Sequence, residues 1–401
     1  MTAAGFLKTT AQRVRGVLED HVARGYATGM VALIGRGDEV EAVSVGAKAL
    51  GGGDPMRRDT LFRIASMTKP ITAAAGMMLV EEGKLTLDEP VDRLLPELAD
   101  RRVLARIDGA VDDTVAAKRP ITVEDVMSFR LGLGLIMAPP GAWPIQRAIA
   151  GLGLVGFGPP DPASPIDPDD WMARLGTLPL MAQPGEAWLY TTASNVLGVM
   201  IARASGQSLP AFLHARIFEP LGMKDTAFYA PPAKHDRLAS AYRRVGAALE
   251  LIDAAETSAY GAPPAFPAGD AGLVSTVDDM FAFSRLLLNL GRVGDRQLLS
   301  KASVRAMTTD HLTSAQRAGG SAILGPGRGW GHGGMAIVLE ATAEGAQPGA
   351  YGWNGGFGTS WLVDPRTETV AILMTQTMFD GPDPPAVHKD FQRAVFGMTE
   401  G

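Results

Sequence analysis

Residues 61–91 read LFRIASMTKPITAAAGMMLVEEGKLTLDEPV, and the tetrad Ser66-Met67-Thr68-Lys69 near the start of this stretch decides how the rest of the chain is read. From Ser66 to Glu82 the pattern predicts a helix, with an apolar run from Ile71 to Val80 and Glu81-Glu82-Gly83 as the stop. On a helix, residues i and i+3 share one face with Cβ atoms roughly 5–6 Å apart, so Lys69 Nζ reaches Ser66 Oγ. A serine in the opening turn also meets free backbone N–H groups and the positive end of the helix dipole, which favour a developing anion. Pro70 falls in the same turn, where its missing N–H costs least. This is one way to build an acyl-transfer nucleophile without histidine. The spacing is weak by itself. With 16 Ser and 9 Lys in 401 residues, chance gives fewer than one such pair, and Ser66/Lys69 is the only one. The bland alternative is an ordinary helix start, with Ser66 as N-cap and Lys69 exposed.

The chain is long enough for one large domain or two intimate ones, and its composition is that of a globular protein, 46% hydrophobic and 20% charged. A formal net charge of −6, with no Lys/Arg-rich run, argues against a nucleic-acid partner. The absence of cysteine excludes disulfides, thiolate metal sites and a Cys nucleophile. The N-terminal segment lacks the basic-then-apolar pattern of an export signal and reads as an amphipathic helix over 6–24. No apolar stretch approaches the roughly 18 residues of a membrane span. A cytoplasmic, soluble protein with no membrane span is therefore expected.

Around the tetrad helix the periodicity changes twice. Residues 29–35 and 39–45 predict two strands joined at Arg36-Gly37-Asp38. The middle of the chain turns mainly helical, with a capped start at Ile121–Met127 and helices over Asn195–Ser205, Leu209–Phe218 and Asp278–Leu290. The Gly/Pro-rich stretch 131–170, centred on GLGLVGFGPPDPASPIDPDD, is too long for an ordinary connection and reads as a lid or binding loop. Strands return at Gly334–Leu339, Thr359–Val363 and Thr369–Thr375, and Val387–Phe396 closes as a helix. The expected architecture is α/β of the α+β type. Residues 1–75 and 270–401 form an antiparallel sheet flanked by helices, and 76–269 form an inserted, mainly helical domain, with the site in the cleft between them.

Two further segments carry chemistry. Tyr190, in Leu189-Tyr190-Thr191-Thr192, sits in a turn before a helix, and a phenol near a lysine ammonium can accept a proton from serine. The alternative is a buried tyrosine with a satisfied hydroxyl. In Tyr351-Gly352-Trp353-Asn354-Gly355-Gly356-Phe357-Gly358, glycines in a strand allow close approach of another backbone or a ligand. An edge strand there can donate N–H groups to an oxyanion and pair with substrate; the alternative is a bulge or turn.

Taken together, Ser66-Met67-Thr68-Lys69, Tyr190 and Trp353-Asn354-Gly355 resemble the serine β-lactamase-like superfamily of penicillin-recognising proteins, in its class C-type branch with the family VIII carboxylesterases. Arg63-Ile64-Ala65, Glu82-Gly83-Lys84-Leu85 and Ile217–Met223 support the resemblance, which spans roughly residues 10–395. It implies Ser66 as nucleophile, Lys69 and Tyr190 as the joint general base, and the N–H groups of Ser66 and Gly356 as the oxyanion hole. It implies Trp353, Asn354 and Gly355 as substrate-binding residues, and no cofactor. Departures set the substrate expectation. β-Lactamases and DD-peptidases of the group carry Lys-Thr-Gly on this strand, and the lysine helps bind a substrate carboxylate. Trp353 stands in its place, as in the family VIII esterases, and Tyr190-Thr191-Thr192 replaces the class C Tyr-x-Asn. The resemblance therefore implies a serine carboxylesterase for short-chain, uncharged small-molecule esters, with acyl transfer to alcohols as a related activity. The alternatives are a β-lactamase or DD-peptidase, and a non-catalytic penicillin-recognising binding protein.

Other motifs point elsewhere less well. There is no Gly-x-Ser-x-Gly elbow, and the six histidines form no His-Glu-x-x-His. His332, in Gly331-His332-Gly333-Gly334, reads as a turn or strand residue, and a metal site is not expected. Residues 151–156 lack the third-glycine spacing of a dinucleotide loop. Asp167, Asp169 and Asp170 read as solvated loop charges. Met137, Trp143 and Trp171 fit an acyl pocket or plain loop packing equally well.

Overall fold

The computed structural model describes residues 2–154 and 161–397. In chain order the elements that build the frame are α1 (Ala3–Ala23), β1 (Gly29–Arg36), β2 (Glu39–Gly46), α2 (Thr68–Glu81), α3 (Thr192–Ser205) and α4 (Val277–Leu288). They are followed by β3 (Arg328–Trp330), β4 (Ala336–Val338), β5 (Tyr351–Gly355), β6 (Thr359–Asp364), β7 (Thr369–Met374) and α5 (Ala386–Phe396). The strands form one antiparallel sheet in the order β3-β4-β5-β6-β7-β1-β2. The two ends of the chain thus meet in the middle of the sheet, where Val31 pairs with Met374 and Arg36 with Thr369.

Alternation along β1 explains its burial on both faces. Met30, Ala32 and Ile34 join Leu7, Val14 and Leu18 of α1 and Val387 and Phe391 of α5 in one apolar cluster. Val31 and Leu33 point the other way, into the cluster that holds Phe283 of α4 and most of α2. The buried positions of α1, at Leu7, Thr10, Val14, Leu18 and His21, recur every three or four residues, the period of a single helix face. Helix α2 has no such face: Thr68 to Leu79 are all buried, so it is the central helix of the molecule.

Several details differ from the sequence reading. The middle of the chain, expected to be mainly helical, also holds two hairpins, in which Arg102–Leu104 pairs with Thr114–Ala116 and Ala241–Val245 with Ala248–Asp253. The second turns at Gly246, whose φ of +61° suits a tight reversal. The stretch expected as a continuous loop contains a helix, Pro144–Gly151, with proline in its first turn, and a second helix, Pro168–Gly176, begins inside it. The heart of that stretch, residues 155–160, and with it part of the 151–156 glycine run, lies outside the described residues. Strand β5 is not an edge strand. It is hydrogen-bonded to β6 along its length, and to β4 at Tyr351 and Gly352. Because β4 is only three residues long, Trp353 to Gly355 have no ladder partner on that side, so the open segment exists without being a sheet edge. Among the described residues no single helix is long and apolar enough to cross a membrane.

Candidate active site

Between Leu61 and Leu79 every residue is buried except Ser66. The turn that presents it is clamped from three directions. Phe62 and Arg63 pair with Ser275 and Val274, and Ile64 N–H donates to the Leu273 carbonyl at 3.0 Å. The Gln376 side-chain amide takes the place of a strand against Arg63: its Oε1 accepts from Arg63 N–H at 3.2 Å and its Nε2 donates to the Arg63 carbonyl at 3.4 Å. On the third side the Thr359 hydroxyl donates to the Ile64 carbonyl at 3.1 Å. Beneath the turn the Arg63 guanidinium is fully buried, donating to Asp253, Ala239, Gln376 and Ser258. Burial pushes its pKa below the ordinary value, with Asp253 opposing. Ala65, just before Ser66, takes a left-handed φ of +43°, a conformation costly for a residue with a side chain and held only by such surroundings. Ser66 itself sits in a 3₁₀ turn, Ala65–Met67, that leads into α2, so it precedes the helix N-cap position rather than occupying it.

Lys69 Nζ donates to Ser66 Oγ at 3.0 Å and to the Asp270 carbonyl at 2.9 Å. The lysine is 1% exposed, so the reading of an exposed helix-start lysine does not hold. The turn between β3 and β4 packs against the Lys69 backbone: a Cβ on Gly334, whose φ is +61°, would lie 2.9 Å from the Lys69 carbonyl oxygen. His332 lies in that turn, buried and stacked on His311 at 4.0 Å between ring centroids. Burial, with His311 adding, pushes the His332 pKa down to about 4.

The ring of Tyr190 lies under Lys69, with Nζ 4.4 Å from the ring centroid. The phenol oxygen accepts from Trp353 Nε1 at 2.7 Å. The structure thus brings Ser66, Lys69, Tyr190 and Trp353 together, with the lysine on the face of the phenol and the indole at its oxygen. The tyrosine is wedged in an aromatic cluster that the sequence reading did not include. Trp353 packs edge-on to Trp330 at 4.9 Å, Phe129 lies 4.9 Å from Trp330, and Trp188 stacks on Tyr190 at 5.9 Å. The only signal for these in the sequence was adjacency: Trp188 stands two residues before Tyr190, and Trp330 just before the Gly331–Gly334 run.

Gly355 and Gly356 have different jobs. A Cβ on Gly355 would collide with the Ile64 carbonyl and the Thr359 hydroxyl, so only glycine lets the β5–β6 hairpin touch the turn before Ser66. Gly356 borders open space, where a Cβ would meet no atom within 4 Å. Among the described residues no backbone carbonyl accepts the amide of Ser66 or of Gly356. The Gly356 carbonyl accepts from Phe379 N–H at 2.9 Å, and His388 Nε2 lies 3.1 Å from the Gly358 carbonyl, which fixes the hairpin loop. Asn354 is half-buried beside them.

The remaining candidates have structural partners. Asp167 caps the helix Pro168–Gly176, Asp169 pairs with Arg203 at 2.7 Å and Asp170 with Arg174 at 3.3 Å. Trp171 stacks on Phe266 at 5.1 Å, Trp143 caps the helix Pro144–Gly151, and Met137 is 45% exposed. The sequence reading missed Asp270, which contacts Lys69 and Thr191; its only flag was an acidic residue set between Gly269 and Gly272.

The chain is similar over most of its length to known proteins. It is 37% identical over 368 residues to Protein Rv1367c of Mycobacterium tuberculosis, covering 88% of this chain and 86% of that one. It is 31% identical over 391 residues to Esterase EstB of Burkholderia gladioli, covering 92% and 91%. Among solved structures it superposes on EstCE1, described as a hydrolase with promiscuous acyltransferase activity, with a TM-score of 0.79 and 28% identity over 97% of this chain and 99% of that one. The Beta-lactamase family model matches residues 11–393, and with the tetrad, sheet and hairpin in place the chain belongs to that family, the serine β-lactamase-like superfamily, with esterases among its relatives.

Proposed function

We propose that the protein is a serine carboxylesterase for short-chain, uncharged esters, working through a covalent acyl-enzyme and passing the acyl group to water or to an acceptor alcohol. The observation that carries this reading is Ser66 Oγ held 3.0 Å from Lys69 Nζ as the one accessible residue of a buried segment. Ser66 Oγ attacks the ester carbonyl carbon and gives up its proton to Tyr190, whose oxygen is supported by the Trp353 N–H and whose ring carries the Lys69 ammonium. The carbonyl oxygen gains negative charge between the amides of Ser66 and Gly356. The C–O bond to the alcohol breaks, and Tyr190 returns the proton to the leaving oxygen. Water or an alcohol then repeats the sequence on the Ser66 ester. Trp353 and Asn354 wall the substrate side, and Gly355 keeps the wall against the nucleophile. A neutral substrate suits this site because an indole, not an ammonium, occupies the strand position facing it. The names of EstB and EstCE1 support ester hydrolysis and acyl transfer as the reaction class.

The test is hydrolysis of p-nitrophenyl butyrate by the wild type and by Ser66→Ala, with nitrocefin as the competing substrate. We expect turnover by the wild type, a loss of several orders of magnitude in kcat for the variant, and slower turnover of nitrocefin than of the butyrate. Equal activity in both proteins would place the nucleophile elsewhere. Faster nitrocefin turnover would favour a β-lactamase, and an inert wild type with an intact fold would favour a binding protein.

A further inference from the structure

Asp270 is a buried carboxylate, 7% exposed, in the segment Gly269–Gly272 that faces the nucleophile helix. It touches three elements at once. Its carbonyl accepts from Lys69 Nζ at 2.9 Å, its N–H donates to Asn195 Oδ1 of α3 at 3.1 Å, and its Oδ2 accepts from the Thr191 hydroxyl at 3.0 Å. Thr191 directly follows Tyr190 and opens the turn into α3. Thr72, one turn along α2 from Thr68, donates to the Gly269 carbonyl at 2.8 Å, so the segment is seated against the helix at two successive residues.

The charges at this place are unusual. Lys69 is 1% exposed, and among the described residues no carboxylate lies within 4.0 Å of it and no Arg, Lys or His within 4.0 Å of the Asp270 carboxylate. The two buried groups are joined through one residue, since Lys69 Nζ is bonded to the carbonyl of the residue that bears the carboxylate. Burying either charge alone is costly, and the pair offsets that cost without a direct ion pair. The other titratable groups nearby leave this pairing alone. Tyr190 lies under Lys69, Asp253 is engaged with Arg63, and His332 is stacked on His311. Tyr260 is buried, its phenol pushed up mainly by desolvation, with Arg63 opposing and the charges of Asp253, Asp270 and Asp161 adding.

We propose that Asp270 is the positioning residue of this site: its carbonyl aims Lys69 at Ser66, its carboxylate holds the Thr191 turn that carries Tyr190, and its charge balances the Lys69 ammonium. This rests on the acyl-transfer reading above. Its consequence is a division of labour. Lys69, aimed at Ser66 and seated over the phenol ring, supports the phenol, and the serine proton goes to Tyr190.

The experiment reads the rate of Ser66 modification by a fluorophosphonate between pH 5 and 10, by intact mass. The Oγ–P bond forms as the P–F bond breaks, fluoride leaves, and the serine proton passes to the base, so the readout is independent of which ester the protein prefers. Asp270→Asn keeps an acceptor for the Thr191 hydroxyl and removes the charge. Its acid limb should move to lower pH by about one unit or more, the scale of a nearby unit charge in a partly buried site. The sign follows because removing a neighbouring anion makes deprotonation of the base group easier. Thr191→Val keeps the charge and removes the hydroxyl; its limb should stay in place while the plateau rate falls several-fold, with Thr191→Ser restoring it. Asp270→Ser, read the same way, replaces Asp270→Asn should that variant not fold. An unmoved limb in a folded neutral variant overturns the charge role, and an unchanged rate in Thr191→Val overturns the positioning role. A wild type unlabelled at Ser66 at every pH overturns the acyl-transfer reading itself, and this inference with it.

Discussion

At the scale of the residue, the site depends on which atom each polar group addresses. The Trp353 indole is 8% exposed and its N–H is committed to the Tyr190 oxygen at 2.7 Å. A donor to that oxygen fixes where the Tyr190 hydroxyl stands, so Trp353 orients the phenol as well as walling the site. Trp353→Phe keeps an aromatic wall and removes the donor. We expect kcat for p-nitrophenyl butyrate to fall about tenfold, the worth of one hydrogen bond to a charged group, with KM changed less than twofold; a change confined to KM would show that the indole serves only as a wall. The Ser66–Lys69 contact was legible from spacing alone, because three residues along a helix is a fixed distance. The Trp353–Tyr190 contact was not. The two lie 163 residues apart, and no local rule brings an indole N–H to a phenol oxygen.

At the scale of the element, the β5–β6 hairpin and the turn before Ser66 form one unit, and the glycine at 355 is what lets them touch. Gly355→Ala would push its Cβ into the Ile64 carbonyl and the Thr359 hydroxyl. One of the two elements must then move, at a cost of about 1–3 kcal/mol in stability. Because Ile64 is two residues from Ser66, the displacement also reaches that serine, and a misplacement of about 1 Å costs on the order of a hundredfold in rate. Thermal melting together with butyrate hydrolysis reads both effects, and an alanine variant with wild-type activity would show that the contact does not place the nucleophile. The strand and the glycines were visible in the sequence as a pattern of small residues within an apolar run. Their partner was not, since a missing side chain shows that something approaches without showing what.

At the scale of the whole molecule, two buried histidines tie the fold to neutral pH. His388, on α5, is buried against the Gly358 carbonyl, and desolvation pushes its pKa down to about 4. His332 in the β3–β4 turn is likewise pushed down to about 4. Both folded-state values lie below the ordinary 6.5, so the unfolded chain binds protons more readily between pH 6.5 and 4. The folded state therefore loses stability as pH falls through that window, by up to ~3 kcal/mol for each histidine. Urea unfolding at pH 7 and at pH 4.5 should show the loss. His388→Gln should flatten the slope by about half while lowering stability at pH 7, and an unchanged slope would show that His388 does not bear this linkage. The sheet itself was readable from the alternating strands at both ends of the chain. The two hairpins in the middle were missed because their strands are three to six residues long and mostly exposed on the partner side, so the apolar alternation that marks a buried strand is weak in them.

The amino-acid sequence by itself determined what depends on neighbours along the chain. That includes the helix that sets Lys69 over Ser66 and the alternation that makes β1, β6 and β7 strands. Only the tertiary structure decided what depends on segments meeting in space. It put Trp353 at the Tyr190 oxygen, the Ile64 carbonyl against Gly355, and Asp270, 201 residues from Lys69, at the lysine's side. The physical reason is that a helix or strand period fixes contacts over a few residues, whereas a contact between distant segments is selected by the packing of all the elements between them.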